Sequence, residues 1–589
     1  GELTALLKTP HGTMKLRPVQ AVALAEAYEL GGLFGPIGVG EGKTLISLLL
    51  AHVLESDRPL LVLPAKLIGK TRHEWRDLAH HWQIPNWIRL MSYEMCGRVQ
   101  AKDALEQFEP DAILFDEVHK VKNRKAAVTR RFERYIKARR EADYAAPGVA
   151  SARSPRPRLP LRACGFSGTI TSKSLRDFAH VMQWCIPANS VLPWTWVELD
   201  DWANALDELN NPLNRLHPGA LLELCGPDEQ DAPDAMTAAR RGFRRRMVET
   251  PGVVATREST LGASLLISAF GVNESTGEMS IPSPAIDKAL DDVRPHYREG
   301  SPSMVLPDGW ELIDGPSVWR HARELVLGFY YVWDPRPPVE WMQARSCWAT
   351  FARGVIQNAR SAHPCDSAED VALNYRRFPC TVDFMRHQKG LPPLQTADGA
   401  KHVYEYWKEI EPTFKPNQKA VWICDSVLKL CEGWIQEHPR GIVWTEHVAF
   451  AEELSKRTGV AYYGAEGCDE RGRYIEHADG PVIASVMANF EGRNLQYKWH
   501  ENLITAWPPS ALVCEQLLAR THRSGQAEDT VTAEVFFGCV EHVGAIETAL
   551  QRAHYIQDTT GNPQKLVYAD KALPGLDEVV DWKGPRWQK

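Results

Sequence analysis

The sequence has no run approaching the roughly eighteen apolar residues of a membrane span, and its start lacks a signal peptide's basic and apolar regions. Its twelve cysteines contain no C-x-x-C pair, so scattered reduced thiols are expected rather than a disulfide framework. These absences predict a cytoplasmic or nuclear protein with no membrane partner, not a secreted one. Excess positive charge is also missing. With a net charge of −7, any nucleic-acid surface must be a local patch and not a property of the whole chain. What is present is a folded composition, 44 % hydrophobic and 24 % charged over 589 residues, which suggests roughly two to four domains.

The most informative stretch is Gly38-Val39-Gly40-Glu41-Gly42-Lys43-Thr44, set between Leu33-Phe34 and the apolar run Leu45 to Leu50. Glycines at alternate positions let a loop turn its N–H groups inward, and the helix that follows points its positive end at the same anion. Lys43 is placed to reach the β- and γ-phosphates of a nucleotide, and the Thr44 hydroxyl to ligate Mg²⁺. Ile37 stands where the longer G-x-x-x-x-G-K-[ST] spacing has its first glycine, so the motif is the shorter G-x-G-K-T, framed by Gly40 and Gly42. The alternative is a plain glycine turn before a core helix.

Ala112-Ile113-Leu114-Phe115 reads as a buried parallel strand, and Asp116-Glu117 follow at its end. There the first acid is expected to bind Mg²⁺ and the second to orient and deprotonate a water; an acidic helix cap is the alternative. Ala163 to Phe166 is a further strand, ending in the hydroxyls of Ser167 and Thr169, which can bond the acidic pair and report a γ-phosphate. Gln20, on an Ala-rich helix about twenty residues before the loop, can pair with an adenine edge or simply face solvent. Leu60 to Lys66 and Ile88 to Glu94 supply two more strands. Strands alternating with helices predict a parallel α/β sheet whose ligands collect at the carboxyl ends.

Lys120 to Arg140 holds ten basic residues and a single acid, Glu133. The run is either a solvated face or a phosphate-backbone contact, chiefly through Lys120, Lys122, Arg124 and Lys125. From about 188 to 410 the chain is rich in Trp and Pro and shows no βα alternation, which predicts a largely helical insertion. Its cluster Arg240-Arg241-Gly242-Phe243-Arg244-Arg245-Arg246 either touches nucleic acid, with Arg241 and Arg244 foremost, or packs against acidic neighbours. His363, Cys365, Cys380 and His387 carry zinc-ligand chemistry at a spacing that matches no standard module.

Alternation returns near 415, with strands at 440–445, 460–464 and 481–486 and another ending within 502–509. This second α/β unit has no phosphate loop, which suggests a lobe that closes over a nucleotide held by the first. Near its end, Arg520 and Arg523 are three apart, so on a helix their guanidinium groups lie side by side. Aimed at a γ-phosphate they would neutralise the charge that builds during transfer; two surface arginines are the alternative.

The ordered series resembles the superfamily 2 helicases, and specifically the Swi/Snf-type DNA translocases. Leu16-Arg17-Pro18-Val19-Gln20 is similar to their adenine motif, Gly40-Glu41-Gly42-Lys43-Thr44 to motif I, and Asp116-Glu117-Val118-His119 with Val121-Lys122-Asn123 to the D-E-A-H…K-N stretch. Ser167-Gly168-Thr169 is similar to motif III, and Glu515-Gln516 through Arg520, His522-Arg523-Ser524-Gly525-Gln526 to motif VI. Val118 replaces the usual Ala, Lys173 the usual Asn, and Gly492-Arg493-Asn494-Leu495 keeps only part of motif V. The resemblance implies an α/β protein with two RecA-like parallel-sheet lobes, 1–188 and 415–560, a mainly helical insertion 189–414 and a tail 561–589. It further implies MgATP in the interlobe cleft and duplex DNA across both lobes of a monomeric motor, with the insertion touching DNA or a protein partner. His119, Ser167, Thr169 and Gln526 would couple γ-phosphate loss to lobe opening, while Lys66, Lys122, Arg124, Arg241, Arg244 and Arg493 would contact DNA. A clamp or loader that switches once per binding event and never steps is the competing expectation.

Overall fold

The computed structural model describes residues 1–573 except 146–158, 169, 172, 208–214, 230–231, 257–262, 272–282, 295–304, 310–314, 336, 358–364, 366–367 and 416. Five short apolar runs form the first sheet: β1 (Gly32–Gly35), β2 (Pro59–Leu63), β3 (Arg89–Ser92), β4 (Ala112–Asp116) and β5 (Arg162–Phe166). All pair in parallel, in the order β1-β5-β4-β2-β3. β1, β2 and β4 are buried along their whole length, as expected of strands covered by helices on both faces. Helices Pro18–Leu30, Lys43–Val53 and Ile68–His81 cover one face. The other face is covered by Ala127–Ala145 and Ala179–Cys185.

That second core does not stop at residue 188. Leu192, Leu199, Leu206, Ala239, Phe243, Met247 and Val253 share it with Phe115 and Phe132, and Val253 pairs in parallel with Phe34 at the outer edge of β1. The first part of the expected insertion therefore belongs to the first unit. It adds helices and not strands, so it carries no βα rhythm to be read from sequence.

The remaining strands are β6 (Ser264–Phe270), β7 (Phe329–Trp333), β8 (Gln418–Trp422), β9 (Gly441–Thr445), β10 (Tyr462–Tyr463), β11 (Val482–Ser485), β12 (Glu501–Ile504), β13 (Thr530–Phe536) and β14 (Asp570–Ala572). Seven of them make a second parallel sheet in the order β10-β11-β9-β12-β13-β6-β14. β6 falls inside the range expected for the insertion and β14 inside the expected tail, so both boundaries move: this sheet starts at 264, and 561–573 is part of the fold. Leu566, Ala569 and Leu573 are buried in its core.

What remains of the insertion is 334–417, carried on the antiparallel pair β7–β8. Its helices Val339–Gln357, Ala368–Asn374, Val382–Gln388 and Val403–Ile410 enclose two small cores, one around Phe351, Val371 and Met385 and one around Trp341, Tyr406 and Trp407. The helical expectation holds for this shorter segment. Among the described residues, no helix is long and apolar enough to cross a membrane.

The two sheets meet through more than a cleft. Helix Ala235–Glu249 packs on helix Val540–Thr560, Tyr555 donates its hydroxyl to Asp207 at 2.8 Å, and Arg241 pairs with Asp558 at 3.2 Å.

Candidate functional site

β1 ends in the glycine loop, and the helix Lys43–Val53 opens directly after Gly42. Gly42 has φ +77°, and a Cβ there would run into the Gln20 amide, so the position needs glycine twice over. Gln20 is buried; its Oε1 accepts the Arg17 N–H at 2.9 Å and its Nε2 donates to the Glu41 carbonyl at 3.1 Å. One lone pair and one N–H of that amide remain for an adenine edge. Arg17 donates to the Gly40 carbonyl at 2.8 Å, a second brace that sequence reading did not single out. Lys43 is buried, donates to the carbonyls of Ile37 and Gly38 at 3.2 Å each, and lies 3.8 Å from Glu117. Thr44 is the half-buried second residue of the helix.

The end of β4 brings the acidic pair to this loop. Glu117 adopts a left-handed backbone, φ +53°, which costs a non-glycine residue about 1–3 kcal/mol and persists only where the surroundings enforce it. Here they do: its carboxylate meets Lys43, accepts from Ser167 Oγ at 3.2 Å and lies 3.3 Å from His119 Nδ1. His119 Nδ1 and Ser167 Oγ are themselves 2.9 Å apart. β5 lies between β1 and β4, which is why Ser167 at its tip can reach both neighbours. Burial would raise the Glu117 pKa, but Lys43, then His119 and Ser167, outweigh it and hold the carboxyl well below its usual range. Burial and the adjacent Glu117 charge push Asp116 the other way, to about 7. Asp116 at the end of β4 and Thr44 at the start of the loop helix offer a carboxylate and a hydroxyl, oxygen donors of the kind Mg²⁺ takes. Thr169 lies outside the described residues.

The second sheet completes the cleft. Arg520 and Arg523 follow helix Ala511–Leu518. Arg520 is buried and donates to the carbonyls of Gln516 at 2.7 Å and Arg493 at 2.9 Å; Arg523 donates to Asn494 Oδ1 at 2.8 Å. Neither makes an ion pair among the described residues. Burial, and then the charge of Arg523, pull the Arg520 pKa down to about 9, with Glu117 and Glu491 opposing. Arg520 is buried and Arg523 half-buried, and the charge of Arg523 adds to the burial that depresses Arg520; a guanidinium so depressed is matched to a polyanion. Gln526 does not join them. Its Nε2 donates to the Trp499 and Thr521 carbonyls, and its Oε1 accepts from Ala527 and Glu528. These bonds tie the turn over 523–528 to Trp499 ahead of β12.

The residues expected on DNA are mostly committed within the protein. Lys66 meets Glu491 at 2.7 Å and Lys120 meets it at 2.9 Å, bridging the two sheets. Glu491 is nearly buried and either lysine can neutralise it, so a phosphate that draws one lysine away leaves the other on the carboxylate. Arg124 pairs with Glu133 at 2.8 Å over the Trp196 ring, Arg241 with Asp558, and Arg493 with Glu476 at 3.2 Å. Arg244 donates weakly to the Gln557 carbonyl at 3.4 Å, and Lys122 is half-buried. Lys66, Arg124, Arg241 and Arg493 are thus each held by an acidic partner. Of the zinc candidates, His363 lies outside the described residues, Cys365 and Cys380 belong to an apolar core, and His387 is exposed. Among the described residues, no group of three or more His, Cys, Asp or Glu side chains is arranged to hold a metal.

No family model matches the chain, and no curated protein matches it.

Proposed function

We propose that the chain is a DNA-dependent ATPase, a Swi/Snf-type translocase built on two RecA-like lobes that couples ATP hydrolysis to movement along duplex DNA. What carries the reading is that buried Arg520 of the second unit, three residues before Arg523, feels the charge of Glu117 in the first unit, whose carboxylate meets Lys43. Bound MgATP would supply an activated phosphoanhydride, with Thr44 and Asp116 as the metal's protein ligands and Gln20 beside the base.

The chain's own groups then divide the work. Lys43 leaves the carbonyls of Ile37 and Gly38 for the phosphates, which also takes away the cation that most depresses Glu117. That carboxylate is thereby freed to accept a proton from water, while Ser167 and His119 fix its orientation. Arg520 and Arg523 meet the charge that builds on the transferred group. Glu491, shared by Lys66 and Lys120, is the bridge that must exchange partners as the lobes move.

Steady-state ATP hydrolysis with no nucleic acid, duplex DNA, single-stranded DNA and RNA, each at two salt concentrations, tests the substrate. Duplex is expected to stimulate most, by about tenfold or more, with a stimulation that fades as salt rises. Equal rates in all four conditions would contradict the reading, and preference for single strands would replace it with an unwinding helicase.

A further inference from the structure

The glycine loop is held by two residues that no motif marks. Residues 252–256 run alongside β1: Phe34 donates to the Gly252 carbonyl at 2.8 Å, Val254 to Phe34 at 3.1 Å and Thr256 to Pro36 at 3.1 Å. The segment ends with Thr256 Oγ1 accepting the Gly38 N–H at 2.9 Å. β6 of the second sheet begins eight residues later, at Ser264, so the connection between the sheets starts at the phosphate loop itself.

The other residue comes from the far end of the chain. Helix Val540–Thr560, which follows β13, stops at Gly561, and Asn562 then donates its side-chain amide to the Gly168 carbonyl of the first unit. Gly168 directly follows Ser167, whose hydroxyl holds Glu117. Asn562 is 2 % exposed, its Oδ1 stands 3.4 Å from where a Cβ on Gly38 would be, and that oxygen has no hydrogen-bond partner among the described residues. An unpaired buried carboxamide oxygen costs about 1–3 kcal/mol. Its orientation is set by the Gly168 carbonyl, which needs a donor and would repel the oxygen.

We propose that Asn562 is a positioning residue for hydrolysis, tying the C-terminal end of the second unit to Ser167–Gly168 so that lobe seating sets the Ser167–Glu117 bond, and that Thr256 is its counterpart on the phosphate loop. The inference rests on the nucleotide reading above. Asn562 acts through Gly168 and Ser167 on the base, so it bears on the chemical step. Thr256 acts on the cradle, so it bears on nucleotide binding.

The test uses the full chain with MgATP and duplex DNA, comparing wild type with Asn562→Ala, Asn562→Asp and Thr256→Val, and recording melting temperature alongside kcat and KM. Asn562→Ala and the volume-conserving Asn562→Asp, which removes the donor, are expected to lower kcat by about tenfold, and the Ala variant to leave KM for ATP within about twofold. Thr256→Val is expected to raise KM by about fivefold with little change in kcat. Loss of this split, with unchanged parameters or with kcat, KM and melting temperature falling together in all three variants, overturns the inference. Turnover by wild type with unchanged variants sinks the inference alone; a wild type that hydrolyses no ATP sinks the nucleotide reading and the inference with it.

Discussion

Glu117→Gln is expected to bind ATP with near-normal affinity and to hydrolyse it about 10³-fold more slowly, as loss of a general base predicts. The substitution conserves volume at a left-handed position held by Ser167, His119 and Lys43, so the cleft keeps its shape while the proton acceptor disappears. It also removes the ion pair with Lys43, which leaves the ammonium as available to phosphate as before. Fluorescent-nucleotide titration and phosphate release measure the two halves. Turnover within tenfold of wild type would remove Glu117 as the base and return it to a structural ligand of Lys43.

Arg520→Ala is expected to cost about 10² to 10³ in kcat while ATP affinity changes little, because an arginine that meets transferring phosphate acts mainly in the transition state. Arg520→Lys should not restore the rate: the planar guanidinium divides its donors between the Gln516 and Arg493 carbonyls and whatever lies in the cleft, and an ammonium cannot reproduce that fork. Arg523, anchored on Asn494, should show a smaller loss of the same kind. Single-turnover hydrolysis at saturating nucleotide separates chemistry from product release, with melting curves as the folding control. An unchanged single-turnover rate would leave Arg520 as a packing residue of the second sheet.

What could be read from the sequence was whatever is encoded by neighbours. The glycines and Lys43 of the loop, Asp116-Glu117 after four apolar residues, and Arg520 with Arg523 each announce themselves within a few positions, and the fold brings Lys43, Glu117, His119 and Ser167 to one point. Most of the parallel strands were legible for the same reason, since each is a short apolar run; β13 and β14 were not read. β6 escaped because the nearest described elements in sequence are the helices Ala235–Glu249 and Pro284–Val293, while its partner β13 lies more than 260 residues away.

Contacts between distant residues were not legible. Glu491 captures Lys66 and Lys120, Asp558 captures Arg241, and Glu476 captures Arg493, so basic side chains that look available in sequence are spent inside the molecule. A lone Thr256 or Asn562 carries no local pattern at all. Gln526 adds bonds that its motif does not announce, to Trp499 and to its own turn.

Displacement of a third strand from a DNA triplex reads ATP-driven movement along duplex DNA. With ATP the chain is expected to strip the third strand at a rate that falls as the intervening duplex lengthens, and Lys43→Ala to strip none. Duplex-stimulated ATP hydrolysis with the triplex left intact would contradict it and establish the non-stepping clamp instead.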